Sequence, residues 1–146
     1  YFCADRDGDR DIWRVPSAGG PQERVTRAGG WLPSESADRQ TLFFKRSYFD
    51  SPLLALALPG GPERQVLDCV PAFGFAVGRA GVYHLGCGSG RDVPLSLLDA
   101  VTGRDRLLGR VERPGEGLTV SPDGKIILYT KIVREGSDLM LIENLR

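Results

Sequence analysis

The 146-residue sequence predicts an all-β fold made of repeated antiparallel units, on three observations. Its apolar residues fall in short runs punctuated by Gly, Pro and Asp, and no segment keeps helical periodicity for three turns. Landmark residues recur at one spacing: Tyr1, Phe43, Tyr83 and Leu128 are separated by 42, 40 and 45 residues. The same turn chemistry recurs as well, with Ser36-Ala37-Asp38-Arg39-Gln40 and Ser121-Pro122-Asp123-Gly124-Lys125 lying 85 residues apart, each before a strand-like run. Four antiparallel strands in each such period is the pattern of a β-propeller blade. The expectation is a β-propeller fragment of about 3.5 four-stranded antiparallel blades, roughly 14 strands. A partial propeller then fills residues 1–146, with blades near 1–26, 31–67, 73–108 and 117–146.

The first blade holds the runs Tyr1 to Ala4, Asp11 to Val15 and Glu23 to Thr26. Trp31 to Ser34, Thr41 to Arg46, Pro52 to Leu58 and Arg64 to Leu67 make the second. The third comprises Phe73 to Val77, Gly81 to Leu85, Leu95 to Leu98 and Asp105 to Leu108, with a degenerate turn at Gly78-Arg79-Ala80-Gly81. Gly117 to Val120, Ile126 to Lys131 and Asp138 to Glu143 follow. Two further columns keep the spacing: Val15, Leu58, Leu98 and Ile142 are 43, 40 and 44 apart, and Val25, Val66 and Leu107 are 41 apart each time. In Ser121-Pro122-Asp123-Gly124, Pro presets φ at the second turn position and Gly accepts the left-handed fourth. Gly19-Gly20-Pro21, Gly60-Gly61-Pro62 and Thr102-Gly103-Arg104 mark the equivalent later hairpins.

Composition bounds the function classes. Hydrophobic residues are 41% and charged residues 26%, a globular balance that argues against disorder. Nineteen basic and nineteen acidic residues cancel, which argues against nucleic-acid binding by this segment. Arg104, Arg106, Arg110 and Arg113 cluster, but Asp105 and Glu112 among them make a solvated face of mixed sign. The longest apolar run, Leu53 to Leu58, is too short to insert in a membrane. Cys3, Cys69 and Cys87 are widely spaced and odd in number, so buried free thiols are expected rather than a disulfide framework or a zinc site. The opening in mid-strand at Tyr1-Phe2, without Met, reads as a piece of a longer chain. Such a piece is expected to self-associate through open blade faces and strand edges.

The run Ser121-Pro122-Asp123-Gly124-Lys125-Ile126-Ile127-Leu128-Tyr129 resembles the TolB-type propeller repeat, in which such a turn leads into an aromatic strand. The segment from Tyr1 to Val15 is similar to that family's second hairpin, while Ala37 and Arg39-Gln40 depart from the turn motif. The closing run Gly136 to Arg146 resembles the C-terminal end of bacterial propellers that follow a winged-helix or Ser/Thr-kinase domain. The resemblance implies a non-catalytic scaffold, the interaction or sensory part of a larger regulatory protein, in which a protein or peptide binds one propeller face. It leaves two alternatives open: the gating propeller of a prolyl-oligopeptidase-type peptidase, and a periplasmic TolB-like interaction protein. Further blades of the parent chain are implied partners. The regulator reading places the chain in the cytoplasm, and the TolB-like reading places it in the periplasm.

Candidate chemistry is sparse, and no catalytic, cofactor or metal residue is assigned. Asp5, Asp7, Asp9 and Asp11 alternate around Gly8 and could turn toward a calcium ion, but the spacing is not that of an EF-hand and no closing Glu follows. A polar hairpin loop is the simpler expectation. His84, the only histidine, lies three residues before Cys87, an offset that sends the two side chains to opposite faces of a strand. Cys87-Gly88-Ser89-Gly90 lacks the remainder of a cysteine-peptidase signature and reads as a turn. Trp13 shares a column with Leu56, Ser96 and Met140, which suits core packing. Trp31 joins the aromatic candidates, and Tyr48-Phe49, on a loop of the second repeat, is either a contact surface or a loop packed on itself.

Overall fold

Each strand-length apolar run finds its partner in the next run along the chain, so pairing is local and antiparallel throughout. The computed structural model describes residues 1–6, 8–88, 90–99 and 101–134. Among these residues there are thirteen strands, no helix, and four sheets. The first sheet has β1 (Phe2–Arg6), β2 (Asp9–Arg14) and β3 (Glu23–Arg24). The second has β4 (Trp31–Glu35), β5 (Thr41–Lys45), β6 (Ser51–Ala57) and β7 (Glu63–Val70), paired in that order. The third repeats the pattern with β8 (Phe75–Gly78), β9 (Gly81–Leu85), β10 (Asp92–Asp99) and β11 (Asp105–Glu112). A hairpin of β12 (Pro114–Val120) and β13 (Ile127–Lys131) completes the described strands. The expected strand Asp138 to Glu143 lies outside the described residues, as does the whole closing run from Gly136.

Alternation along each strand feeds two cores at once. On β5, Leu42 and Phe44 join Ile12 and Leu56 between the first and second sheets. Phe43, between them in sequence, points the other way and joins Leu53, Val70, Phe75, Val82 and Leu98 between the second and third. Leu85, Val93, Leu95 and Val111 pack on Leu118 and Ile127 between the third sheet and the last hairpin. Each fully buried Leu or Phe removes enough apolar area to stabilise the stack by about 2 kcal/mol. The sheets are therefore blades held face to face. The inner strands β4, β8 and β12 lie side by side, and a cavity of about 240 Å³ runs between them, lined by Leu32, Ser34, Phe73, Phe75 and Leu118.

The inner strands share a local irregularity. Leu32 (φ 53°), Phe73 (φ 52°) and Gly117 (φ 124°) all take the left-handed conformation near the start of β4, before β8 and within β12. Register slips between Trp31 and Ser34, and between Pro114 and Leu118, accompany it. Such bulges turn an inner strand toward the rim of a channel. They also explain why β8 begins at Phe75, although the run from Phe73 is apolar. β7 continues to Val70, three residues beyond the apolar run at Leu67, because Val70 still pairs with Ser51.

One expectation is corrected here. Cys69 and Cys87 are not free thiols; they form a disulfide, with Cα atoms 5.9 Å apart. The sequence separation of 18 conceals a spatial coincidence: the end of the outer strand β7 meets the loop after β9 of the next blade. Only Cys3 is free, half-buried against the first inter-blade core.

Candidate functional site

Strand alternation sorts the loops of a blade onto two sides. The loops β1–β2, β5–β6 and β9–β10 all emerge on one side, together with the crossings from each outer strand to the next inner strand. Three features singled out in the sequence therefore share one face: the Asp5 to Asp11 loop, Tyr48-Phe49, and the loop after Cys87.

Tyr48 is the centre of an aromatic cluster on this face, beside the inner-strand segments that carry Trp31 and Phe73. Its ring meets the edges or faces of Trp31 (centroids 5.6 Å, 67°), Phe49 (5.6 Å, 87°) and Phe73 (5.4 Å, 85°). These T-shaped contacts suit the ring quadrupoles. Tyr48 Oη donates to Glu116 Oε2 at 3.1 Å, joining the loop of the second blade to the inner strand β12. The hydrogen bond to the Glu116 carboxylate, then burial, raises the Tyr48 pKa above its ordinary value. Arg10 stacks on Trp31 from the other side, its guanidinium 4.2 Å from the ring centroid. Phe49 is 74% exposed, so the cluster presents an apolar tip to solvent. Phe73, partly exposed, also lines the channel cavity beneath.

The acidic loop divides its carboxylates between the two faces of a hairpin. Asp5 pairs across the ladder with Arg10, and Asp11 with Ala4, so the two carboxylates project to opposite sides. Asp5 takes a bidentate hold from Arg10 (2.7 and 2.6 Å), which lowers its pKa. Asp11, 1% exposed, accepts from Thr26 Oγ1 at 2.9 Å, from Gly29 N at 3.1 Å and from the Arg24 guanidinium. Burial opposes its ionisation, yet these donors together hold the pKa below the ordinary Asp value. Both carboxylates are thus bound to guanidinium groups rather than turned toward one ion. Asp7 and the side chain of Asp9 lie outside the described residues.

The remaining sequence candidates separate. His84 Nε2 and Asp105 Oδ1 are 3.0 Å apart across the outer half of the third blade, while His84 Nδ1 has no partner among the described residues. The Cys87 sulfur is held in the disulfide. Trp13 pairs with Phe2 on the ladder and carries Arg6 over its ring at 4.6 Å. Arg104, Arg106 and Arg110 lie exposed along or beside β11, where Arg110 donates to Asp92 O at 2.7 Å.

No family model matches the sequence, and no curated protein matches it. A solved structure does: that of a protein from Agrobacterium tumefaciens described as a TolB candidate, with a TM-score of 0.63 at 20% identity. The match covers 89% of this chain and 54% of the other, so the chain spans about half of its length. The fold is a TolB-like β-propeller. In this propeller the face carrying Tyr48 is the one on which the outer-to-inner crossings and the second-to-third-strand loops converge.

The propeller also shows what sequence reasoning missed. Lys45, expected only as part of a strand, is completely buried, and its Nζ donates to Val70 O (2.7 Å) and Pro71 O (2.9 Å). It thereby fastens the crossing that carries Phe73. Burial lowers its pKa, with the nearby Asp50 charge opposing. The available signal was a lysine directly continuing the apolar run Leu42-Phe43-Phe44 within one strand, since lysine is almost never fully buried unless paired. On the opposite side of the propeller a cleft of about 740 Å³ opens between the second and third blades over Phe43, Val82 and Leu98. Its rim carboxylates Asp38 and Asp99 cap their own turns, through Gln40 N (3.0 Å) and through Val101 N and Thr102 N (2.9 and 2.7 Å). Among the described residues, no helix is long and apolar enough to cross a membrane.

Proposed function

We propose that the chain is part of a non-catalytic propeller that binds a protein or peptide on the face carrying Tyr48, Phe49 and Phe73. The observation that carries this reading is the half-open aromatic cluster, with Phe49 74% exposed above a rim fixed from below by Lys45 and from the side by Glu116. A rigid aromatic anchor surrounded by polar groups is the anatomy of an interface hot spot. A further fact supports a non-catalytic role: Cys87, the thiol three residues from the one histidine, is oxidised and holds no free nucleophile. The test is selection of a displayed random peptide library on the immobilised chain, followed by titration of the enriched peptides. Binding should disappear in Phe49→Ser and Tyr48→Ala and persist in Arg106→Ala. Peptides that bind all three variants equally, or no enrichment at all, would remove the reading.

The wider setting within a larger bacterial regulatory protein rests on the resemblance of the closing run, and the disulfide bears on it. Disulfides persist in oxidising compartments and are rare in the cytosol. The Cys69–Cys87 bond therefore favours the periplasmic, TolB-like setting over a cytoplasmic regulator. Thiol alkylation in intact cells tests this directly, because a pair that is reduced and alkylated in vivo contradicts the oxidising setting.

A further inference from the structure

We propose that Asp50, Cys69 and Cys87 form a cation site when the disulfide is reduced, binding a thiophilic divalent metal such as Zn²⁺ through two thiolates and one carboxylate. The inference does not depend on the partner-binding reading.

Among the described residues these three are the cluster whose potential ligand atoms lie in mutual reach, all within 4.8 Å of one another. Ligand atoms around a tetrahedral Zn²⁺ sit about 3.8 Å apart, given bonds near 2.3 Å, and the carboxylate, within 4.8 Å of both sulfurs, needs only a small movement to reach that spacing. Only the two sulfurs must separate. They are carried by independent segments, the end of β7 and the loop after β9, and the second of these has glycines at 86, 88 and 90. Two thiolates and a soft-ligand majority select Zn²⁺-like ions over Ca²⁺ or Mg²⁺.

Charge is the second argument. Two thiolates and a carboxylate carry three negative charges, and a divalent cation leaves one uncompensated. Lys45 supplies the opposing charge from below, buried beside Val70 and acted on by Asp50. Asp50 is exposed, so the fourth coordination position is open to water.

The balance is simple. A dithiol or phosphine reductant delivers two electrons, the S–S bond breaks, and two protons complete the thiols. Metal binding then expels those two protons as the thiolates coordinate. Disulfide and metal are alternative occupants of the same pair of sulfurs.

Co²⁺ is the probe, because thiolate coordination gives it a charge-transfer absorption that oxygen ligands do not. The whole chain, reduced with a phosphine, should develop this band with one equivalent of Co²⁺, and Zn²⁺ should erase it. The oxidised chain should give none. Cys69→Ser and Cys87→Ser should abolish the band, Asp50→Asn should weaken Co²⁺ binding by about tenfold or more, and Cys3→Ser should leave it unchanged. A reduced chain without the band overturns the proposal, whether or not its circular dichroism remains that of the folded state. So does a band that survives Cys69→Ser or that is indifferent to Asp50→Asn.

Discussion

Arg39 and Gly124 occupy the same position in two turns that are otherwise the same, hydrogen bond for hydrogen bond. Ser36 Oγ donates to Asp38 at 2.6 Å as Ser121 Oγ does to Asp123, and Thr41 N and Ile126 N close the two turns onto those serines at 2.9 and 3.0 Å. Both fourth residues are left-handed, at φ 60° and 72°. An L-residue there costs about 1–2 kcal/mol, of which glycine's freer unfolded state returns about half. Arg39→Gly should therefore stabilise the chain by about 0.5–1 kcal/mol, read as a higher urea midpoint. Gly124→Ala should do the reverse, and its added Cβ would also come within 3.3 Å of Tyr83 Oη. An unchanged midpoint in Arg39→Gly would mean that Arg39 is held by contacts worth as much as the strain.

Asp11 gives the acid limb of stability. Its folded pKa is below the ordinary value, so the folded chain binds fewer protons than the unfolded chain at low pH. The stabilisation is present above the unfolded pKa of 3.8 and is lost as pH falls through the lower folded value. Asp11→Asn keeps an acceptor for Thr26 and Gly29 but leaves Arg24 without its anion. At neutral pH the variant should be less stable by about 3 kcal/mol, and the gap should close as pH falls below that window. Denaturation midpoints of both chains at neutral and acid pH check it, and a constant gap would contradict it.

Lys45 acts at the alkaline end, with the same sign. Its pKa is lowered by burial, so over a window below 10.5 the unfolded chain holds the proton that the folded chain has released. Stability should rise with pH across that window in the parent chain and stay flat, in this respect, in Lys45→Met. Because the variant leaves the carbonyls of Val70 and Pro71 without donors, it should also lose about 2 kcal/mol at neutral pH. A variant as stable as the parent would show that water replaces the ammonium.

The blades were legible because their signals are local. The recurring Ser-x-Asp turn, the column of Tyr1, Phe43, Tyr83 and Leu128, and strands of matched length each need only a few neighbouring residues to be recognised. Tyr48-Phe49 was legible for the same reason, as two aromatic residues in a loop. The cluster around it was not, since Trp31, Phe73 and Glu116 come from three different inner-strand segments that only the stacking of blades brings together. The disulfide failed for the same cause: Cys69 belongs to the end of one blade and Cys87 to a loop of the next, and an odd count of cysteines pointed away from pairing. Lys45 read as a strand residue because periodicity reports which way a side chain points, not that two carbonyls are waiting there. Phe73 was assigned to a strand because the left-handed turn before β8 leaves no mark in an apolar run.

That same stacking makes the disulfide a measurable tie between blades. Closing the 18-residue separation of Cys69 and Cys87 restricts the unfolded chain, which corresponds to about 3 kcal/mol of stabilisation. Because blades contact only their neighbours, the loss should fall on the junction of the second and third blades and not be spread evenly along the stack. Cys69→Ser with Cys87→Ser should lower the urea midpoint by an amount equal to that produced by a phosphine reductant on the parent chain, and the reductant should then have no further effect. Amide exchange should quicken first in β7 and in the crossing through Pro71 to Phe73, which the bond and Lys45 hold together. Uniform loss of protection across all blades would show instead that the stack melts as one unit, and that the tie acts on the whole propeller instead of on one seam.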